Sequence, residues 1–151
     1  MSYANDMPKS TTRADTELSG ALRIGVMRLA RRLRAERTDA SLSLTQMAAL
    51  GSLERHGPLS PSELAGHERV RPPSMTRTIA LLEAKGLVGR TAHPTDGRQA
   101  IVALSAEGRA LLAADRRRRD AWLSRRLPEL EPDELEVLRA AVPILDRLAQ
   151  S

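Results

Sequence analysis

The sequence predicts a mainly α-helical fold that carries one small β-hairpin. Apolar residues recur at helical spacing through most of the chain, and capping sequences mark where the helices begin. Two apolar runs near the middle, Leu87–Val88 and Ala100–Leu104, flank a basic turn that contains Asp96 and Gly97, a pair typical of tight hairpins. Phe and Cys are absent, so the core must consist mainly of Leu, Ala, Val and Ile.

Two helices are predicted in the first third of the chain. Asp15 or Thr16 can cap a helix that reaches about Arg37. Ser43–Gln46 is a capping box that opens the second helix, and His56–Pro58 ends it with a glycine and a proline. The apolar stripe of the first helix comprises Leu18, Leu22, Gly25, Leu29 and Leu33.

The third and fourth predicted helices are short. Ser60–Glu63 is a second capping box with a proline at the first helical position, and the third helix ends near Gly66–His67. The fourth helix starts at Pro73 and ends at Lys85–Gly86, with Met75, Ile79 and Leu82 facing inward. Residues that precede a proline favour extended backbone, which applies to Arg71 and Pro72.

Two longer helices are predicted after the hairpin. Ser105 caps a fifth helix that continues to about Leu127, where Pro128 stops it. A sixth helix starts near Glu131–Asp133, and Pro143 inside it is expected to kink it. The apolar stripe of the sixth helix comprises Leu135, Leu138, Val142, Leu145 and Leu148.

The element order predicts a flexible tail at residues 1–14 and one domain over residues 15–151. Within that domain, residues 43–104 form the central helix-turn-helix and hairpin unit. Residues 15–37 and 105–151 flank it and carry leucine stripes, which favours their use as dimerisation helices in a two-fold dimer. Packing of these helices within one chain is the alternative.

The chain has a net charge of +5, and all of its 24 basic residues except two lysines are arginines. Positive charge favours an anionic partner, although a coding bias toward arginine can explain much of the composition. The lack of cysteine excludes thiol catalysis and fits a reducing cytoplasm. No apolar run approaches a membrane span, and no cofactor or metal site is expected.

The N-terminal half of the fourth helix is the candidate recognition surface for duplex DNA. Its outward residues combine short hydroxyls with a guanidinium, which can contact phosphates or guanine. Arg69 and Arg71 lie just before the helix, where the chain is expected to cross the DNA backbone, and Ser60, which opens the preceding helix, is a further predicted DNA contact. The outward residues are Pro73, Ser74, Thr76 and Arg77. Solvated surface charge is the alternative for each arginine.

The hairpin is the candidate second contact. Arg98 follows the predicted tight turn, so its guanidinium is expected to project from the tip into a narrow minor groove. Asp96 is expected to hold that arginine extended through a charge-assisted pair, unless it is only a turn former. Arg90 and His93 are further candidates for phosphate contacts.

These pieces resemble the MarR family of winged helix-turn-helix regulators over nearly the whole chain except the tail. The resemblance rests on Ser60–Ala65, Pro73–Arg77, Leu82–Val88 and Leu104–Gly108, and above all on Arg90–Arg98 with its Asp-x-Arg wing. It implies a homodimer whose recognition helices enter major grooves and whose wings enter minor grooves of a pseudo-palindromic operator. Many such regulators are repressors.

The resemblance also implies release of DNA by a small phenolic or aromatic acid. The family's usual pocket contains aromatic side chains, whereas this chain has only Tyr3 and Trp122. An acid would therefore depend on aliphatic walls and on arginines of the first helix, for which the candidates are Arg23, Arg28 and Arg31. The absence of cysteine argues against peroxide sensing, and the histidine spacing argues against zinc sensing.

Two other interpretations remain open. A winged helix can serve as a protein-interaction module whose charge is incidental, and a plain helical bundle would share the composition. An enzyme is not expected, because the sequence has no phosphate-cradling loop with lysine, no metal triad and no recognisable nucleophile.

Overall fold

The computed structural model of the protein describes residues 12–37 and 39–150. These residues form a mainly α-helical fold with one antiparallel hairpin, which confirms the predicted fold class. Over the described part of the chain, no helix is both long and apolar enough to cross a membrane. The elements in chain order are α1 (Arg13–Ala35), α2 (Leu44–His56), α3 (Pro61–Glu68), α4 (Pro72–Ala84), β1 (Val88–Ala92), β2 (Ala100–Leu104), α5 (Ala106–Arg126), a 3₁₀ turn (Leu127–Glu129) and α6 (Pro132–Gln150).

Helix α1 is a compact unit of its own, and the boundary to the second unit falls after Ala35. The helix begins earlier than predicted because Thr12 caps it. The hydroxyl of Thr12 accepts a hydrogen bond from the Asp15 amide, and the Asp15 carboxylate accepts one from the Thr12 amide. Residues 1–11 of the predicted tail lie outside the described residues, and Arg13 already belongs to the helix.

The second unit has a core of leucine, alanine, valine, isoleucine and methionine. Helix α4 contributes the three side chains that were predicted to face inward, and all three are fully buried: Met75, Ile79 and Leu82. Helix α2 adds Ala49, Leu50 and Leu53, and β2 adds Val102. This core fixes the rotation of α4, so its opposite side faces outward.

Local hydrogen bonds explain where α2, α3 and α4 begin and end. Both predicted capping boxes are present, at Ser43 and at Ser60. Helix α3 continues to Glu68 and ends when Arg69 adopts the left-handed conformation, with φ of 52°. Pro72 was predicted to be extended but is the first residue of α4, because only Arg71 keeps the extended angles of an N-cap.

The hairpin pairs Val88 with Leu104 and Ala92 with Ala100 in antiparallel register. Leu59 adds a single-residue bridge, since its amide donates to the Val102 carbonyl at 3.0 Å and its carbonyl accepts from the Val102 amide at 2.8 Å. This bridge attaches the hairpin to the segment that leads into α3. The hairpin is therefore part of the helix-turn-helix unit.

Helix α5 is joined closely to the start of the hairpin. The Ser105 hydroxyl donates to the Gly86 carbonyl at 2.6 Å and accepts from the Gly108 amide at 3.0 Å. Gly108 lies so close to β1 that a Cβ there would be 2.1 Å from the Leu87 carbonyl oxygen. A glycine is required at this position because no side chain fits.

The four consecutive arginines of α5, Arg116 to Arg119, do not form one basic face, because successive residues of a helix point in directions about 100° apart. Arg116 donates to Glu54 of α2 at 2.7 Å, and this contact raises the pKa of the Arg116 guanidinium above its ordinary value. Arg119 pairs with the buried carboxylate of Asp115 one turn earlier. Two of the four charges therefore belong to ion pairs.

Candidate nucleic-acid interface

The outward side of α4 is the first part of the candidate interface. Pro73, Ser74, Thr76 and Arg77 are all exposed there, opposite the buried stripe. The Thr76 hydroxyl donates to the Pro72 carbonyl at 3.0 Å and keeps its lone pairs for an incoming donor. Within the described residues the side chains of Ser74 and Arg77 make no hydrogen bond or ion pair, so both are available to a ligand.

Arg69 and Arg71 lie in the turn between α3 and α4, and both side chains are exposed. The left-handed Arg69 residue makes this turn tight, since its amide donates to the Gly66 carbonyl at 3.2 Å while the Val70 amide donates to the Ala65 carbonyl at 3.1 Å. The turn thus places two guanidiniums immediately before the first turn of α4. Neither guanidinium has an acidic partner in the described part of the chain.

Ser60 differs from the other predicted DNA contacts in its burial. It was predicted among the DNA contacts, but its side chain is buried, with 7% of the residue exposed. Its hydroxyl accepts from the Glu63 amide at 3.2 Å, and its amide donates to the Glu63 carboxylate at 2.7 Å. The Ser60 backbone amide and, to a smaller degree, the Ser60 side chain favour the charged Glu63 carboxylate and hold its pKa below the ordinary value. Ser60 therefore begins α3 and positions it.

The tip of the hairpin, residues 93–99, is called the wing loop below. The predicted tight turn at Asp96 and Gly97 is wrong, because Gly97 does not have a positive φ and the strands end at Ala92 and Ala100. Instead the His93 amide donates to the Gln99 carbonyl at 2.9 Å, and the Gln99 amide donates to the Asp96 carbonyl at 3.1 Å. Gly97 and Arg98 are the central residues of this last turn.

Asp96 and Arg98 do interact, but not through a guanidinium. The Asp96 carboxylate accepts a hydrogen bond from the backbone amide of Arg98 at 3.1 Å. No ion pair between the two side chains occurs among the described residues. The acidic residue therefore shapes the turn, and the exposed Arg98 side chain has no partner among residues 12–37 and 39–150.

Arg90 and His93 are both engaged inside the protein. The Arg90 guanidinium donates to the Glu83 carboxylate at 3.0 Å, so it connects β1 to α4. The ring nitrogen Nδ1 of His93 faces the amides of Thr95 and Asp96 at 3.2 and 3.1 Å. Glu83 and Gln99 were missed as supporting residues, since no local pattern joins them to partners six or seven residues away.

A separate basic feature lies on α5. An open cleft of about 430 Å³ is lined by Glu36, Ala114, Ala121 and three arginines, namely Arg117, Arg118 and Arg125. These three guanidiniums have no ion-pair partner in the described ranges. The arginines suggested earlier for an acidic ligand, Arg23, Arg28 and Arg31, are exposed on α1.

Comparison with known proteins agrees with this architecture. The profile of the MarR family matches residues 42–100, which span α2, α3, α4 and the wing loop. An uncharacterised HTH-type transcriptional regulator of Mycobacterium bovis is 45% identical over 132 residues, which cover 87% of this chain and 92% of the relative. The HTH-type transcriptional repressor MdtR of Bacillus subtilis is 35% identical over 70% of this chain and 66% of its own length.

A solved structure supports the same assignment. The crystal structure of a putative transcriptional regulator from Pseudomonas aeruginosa PA01 has a TM-score of 0.85 and 39% identity, covering 93% of this chain and 99% of that one. The likeness extends over both the flanking helices and the central unit. The chain therefore belongs to the MarR family of winged helix-turn-helix, DNA-binding transcriptional regulators.

Proposed function

We propose that the protein binds a specific pseudo-palindromic operator, with α4 in the major groove and the wing loop in the minor groove. The observation that carries this proposal is the division of α4 into two sides. One side is fully buried at Met75, Ile79 and Leu82, whereas the other exposes Ser74 and Arg77, whose side chains have no partner in the part of the chain that the structure describes. Such a side chain set can donate to guanine and phosphate without breaking any contact of the fold.

The binding form is a homodimer. Apolar side chains on α1 and α6 are widely exposed in the single chain, for example Leu18 at 64% and Val137 at 66%. Exposed leucine and valine at this level on long helices favour burial against a second copy. Two recognition helices related by a two-fold axis then read half-sites about 34 Å apart, one turn of the duplex.

The regulator acts in the cytoplasm as a repressor that a small aromatic acid releases. The name of the MdtR relative, a transcriptional repressor, supports the first part. Arginines that have no partner within the described ranges support the second part, since a guanidinium pairs well with a carboxylate. The candidates are Arg23, Arg28 and Arg31 on α1 and the three arginines of the α5 cleft.

The decisive experiment is fluorescence anisotropy of the purified protein on duplex DNA from upstream of its own gene, with a scrambled duplex as the control. We expect tighter binding to the upstream duplex and a steep loss of affinity with salt, with about −0.9 in the log–log slope for each phosphate contact. Weak binding that is equal on both duplexes would favour the protein-interaction module.

The ligand is tested separately by titrating benzoate and hydroxybenzoate into the preformed complex. We expect these aromatic acids to dissociate the complex at concentrations at which sodium chloride of the same ionic strength has no effect. Loss of this response in Arg23→Gln or Arg117→Gln assigns the carboxylate partner to α1 or to the α5 cleft. A complex that no aromatic acid dissociates contradicts the inducer part of the proposal and leaves operator binding intact.

A further inference from the structure

The imidazole of His93 is the acceptor at the centre of the wing loop. Its Nδ1 atom lies 3.1 Å from the Asp96 amide nitrogen and 3.2 Å from the Thr95 amide nitrogen. The Thr95 hydroxyl lies 3.2 Å from the same atom. Both amides can only donate, so Nδ1 must present its lone pair and the ring hydrogen must be on Nε2.

These contacts lead directly to Arg98. Asp96 is held on one side by the His93 imidazole, and its own carboxylate accepts the Arg98 amide at 3.1 Å on the other. The backbone amide of His93 also donates to Gln99, which follows Arg98. The path from the imidazole to the residue at the wing tip therefore consists of two successive hydrogen bonds within six residues.

Glycine at position 97 makes this support necessary. A two-residue turn that joined the strands directly would fix the wing tip by itself, but here the strands end at Ala92 and Ala100, and the turn from Asp96 to Gln99 closes only the last part of the loop. An exposed seven-residue loop with a central glycine has high conformational freedom unless side chains restrict it. The imidazole and the Asp96 carboxylate are the two side chains that accept loop amides here.

We propose that His93 is a positioning residue for DNA binding: its neutral imidazole, through Nδ1, holds Asp96 and so places Arg98 at the wing tip. The proposal rests on the proposed operator binding. It assigns to His93 a role other than the phosphate contact that the sequence suggested. A phosphate contact would use Nε2, the nitrogen that the loop leaves unused.

Three variants distinguish the roles of the two ring nitrogens of His93. In His93→Asn the amide oxygen occupies the position of Nδ1 and can accept the same amides, whereas in His93→Gln the amide group reaches the position of Nε2. His93→Ala removes both. We expect His93→Ala to weaken operator binding on the order of tenfold, the scale of one or two neutral hydrogen bonds. His93→Asn should recover most of that loss and His93→Gln should not.

The salt dependence gives an independent readout from the same titrations. A positioning residue changes the affinity but leaves the log–log salt slope of His93→Ala equal to that of the wild type. Loss of a phosphate contact would reduce the slope by about 0.9. A reduced salt slope or an unchanged affinity in His93→Ala would overturn the proposal. It would also be overturned if His93→Gln recovered operator affinity, alone or equally with His93→Asn, or if neither variant recovered it.

A measurement on the free protein keeps this test apart from the proposed function. The imidazole ¹⁵N spectrum of uniformly labelled protein, at a pH where imidazoles are neutral, should show an unprotonated Nδ1 and a protonated Nε2 for His93. The opposite tautomer overturns the inference whatever the DNA titrations show. If the wild-type protein has this tautomer but binds no duplex, only the proposed function is contradicted.

Discussion

Substitution of Gly108 by alanine should damage the junction between the hairpin and α5. A Cβ at this position would be 2.1 Å from the Leu87 carbonyl oxygen and 3.3 Å from the Leu104 side chain. Real Cβ contacts of this kind are not found below 3.0 Å, so the two backbones must separate by about 0.9 Å. The obstacle is a backbone atom, which cannot rotate away as a side chain could.

The expected cost follows from three contributions. Overpacking against a fixed neighbour costs about 1–3 kcal/mol. The same shift strains the hydrogen bond from the Ser105 amide to the Leu87 carbonyl, now 3.1 Å, which contributes about 1 kcal/mol. Alanine returns up to about 1 kcal/mol through its better helix propensity. The net loss in the free energy of unfolding is therefore about 1–4 kcal/mol, with a midpoint of about 2.5 kcal/mol.

Urea denaturation followed by circular dichroism measures this loss, and thermal melting should fall by about 5–10 °C. The matched control is Gly66→Ala in α3, where a Cβ meets no atom within 4 Å and φ is not positive. That variant should be as stable as the wild type or slightly more stable. Equal stability of Gly108→Ala and the wild type would refute the close approach of α5 to Leu87.

Three further predictions concern the interface and α3. Arg98→Ala should weaken operator binding by about 1–3 kcal/mol in anisotropy titrations with an unchanged melting temperature, and undiminished affinity would contradict the wing assignment. Arg77→Ala should weaken binding to the operator more than binding to scrambled DNA, whereas equal weakening of both would make Arg77 a phosphate contact only. Hydrogen bonds from Ser60 lower the pKa of Glu63, so their stabilisation is present above the ordinary pKa of 4.5 and is lost as the pH falls. Urea titrations at about pH 6 and pH 3 should therefore show a smaller acid-induced loss for Glu63→Gln than for the wild type, and identical losses would oppose this reasoning.

The parts of the fold that the sequence predicted well depend on hydrogen bonds that close within four residues. Ser43, Ser60 and Ser105 each cap a helix as their spacing to the third helical residue indicates. The inward stripe of α4 was equally clear, because a period of 3.6 residues leaves only one apolar side. Thr12 and Asp15 form a reciprocal cap of the same kind, but this cap was missed and the helix was predicted to start at Asp15 or Thr16.

The parts that failed depend on competition between partners. Asp96 and Gly97 predict a tight turn when taken alone, but His93 offers a better acceptor to the loop amides and the turn moves by one residue. No partner for Arg90 was evident from the sequence, whereas in the structure its guanidinium donates to Glu83 of α4. Ser60 was predicted both to contact DNA and to cap α3, and the structure shows its hydroxyl buried in the cap. Whether such a side chain is available to DNA therefore depends on tertiary contacts that the sequence alone does not reveal.

The same junction that makes Gly108 necessary also explains how α5 could control the recognition helix. Ser105 donates to the Gly86 carbonyl just after α4 ends, and its amide donates to the Leu87 carbonyl just before β1 begins. With a glycine in direct contact, α5 has no side chain there that could absorb a shift. A displacement of α5 is therefore expected to shift the end of α4 and the start of β1 with it, and the proposed half-sites at a fixed spacing of about 34 Å would tolerate little such movement.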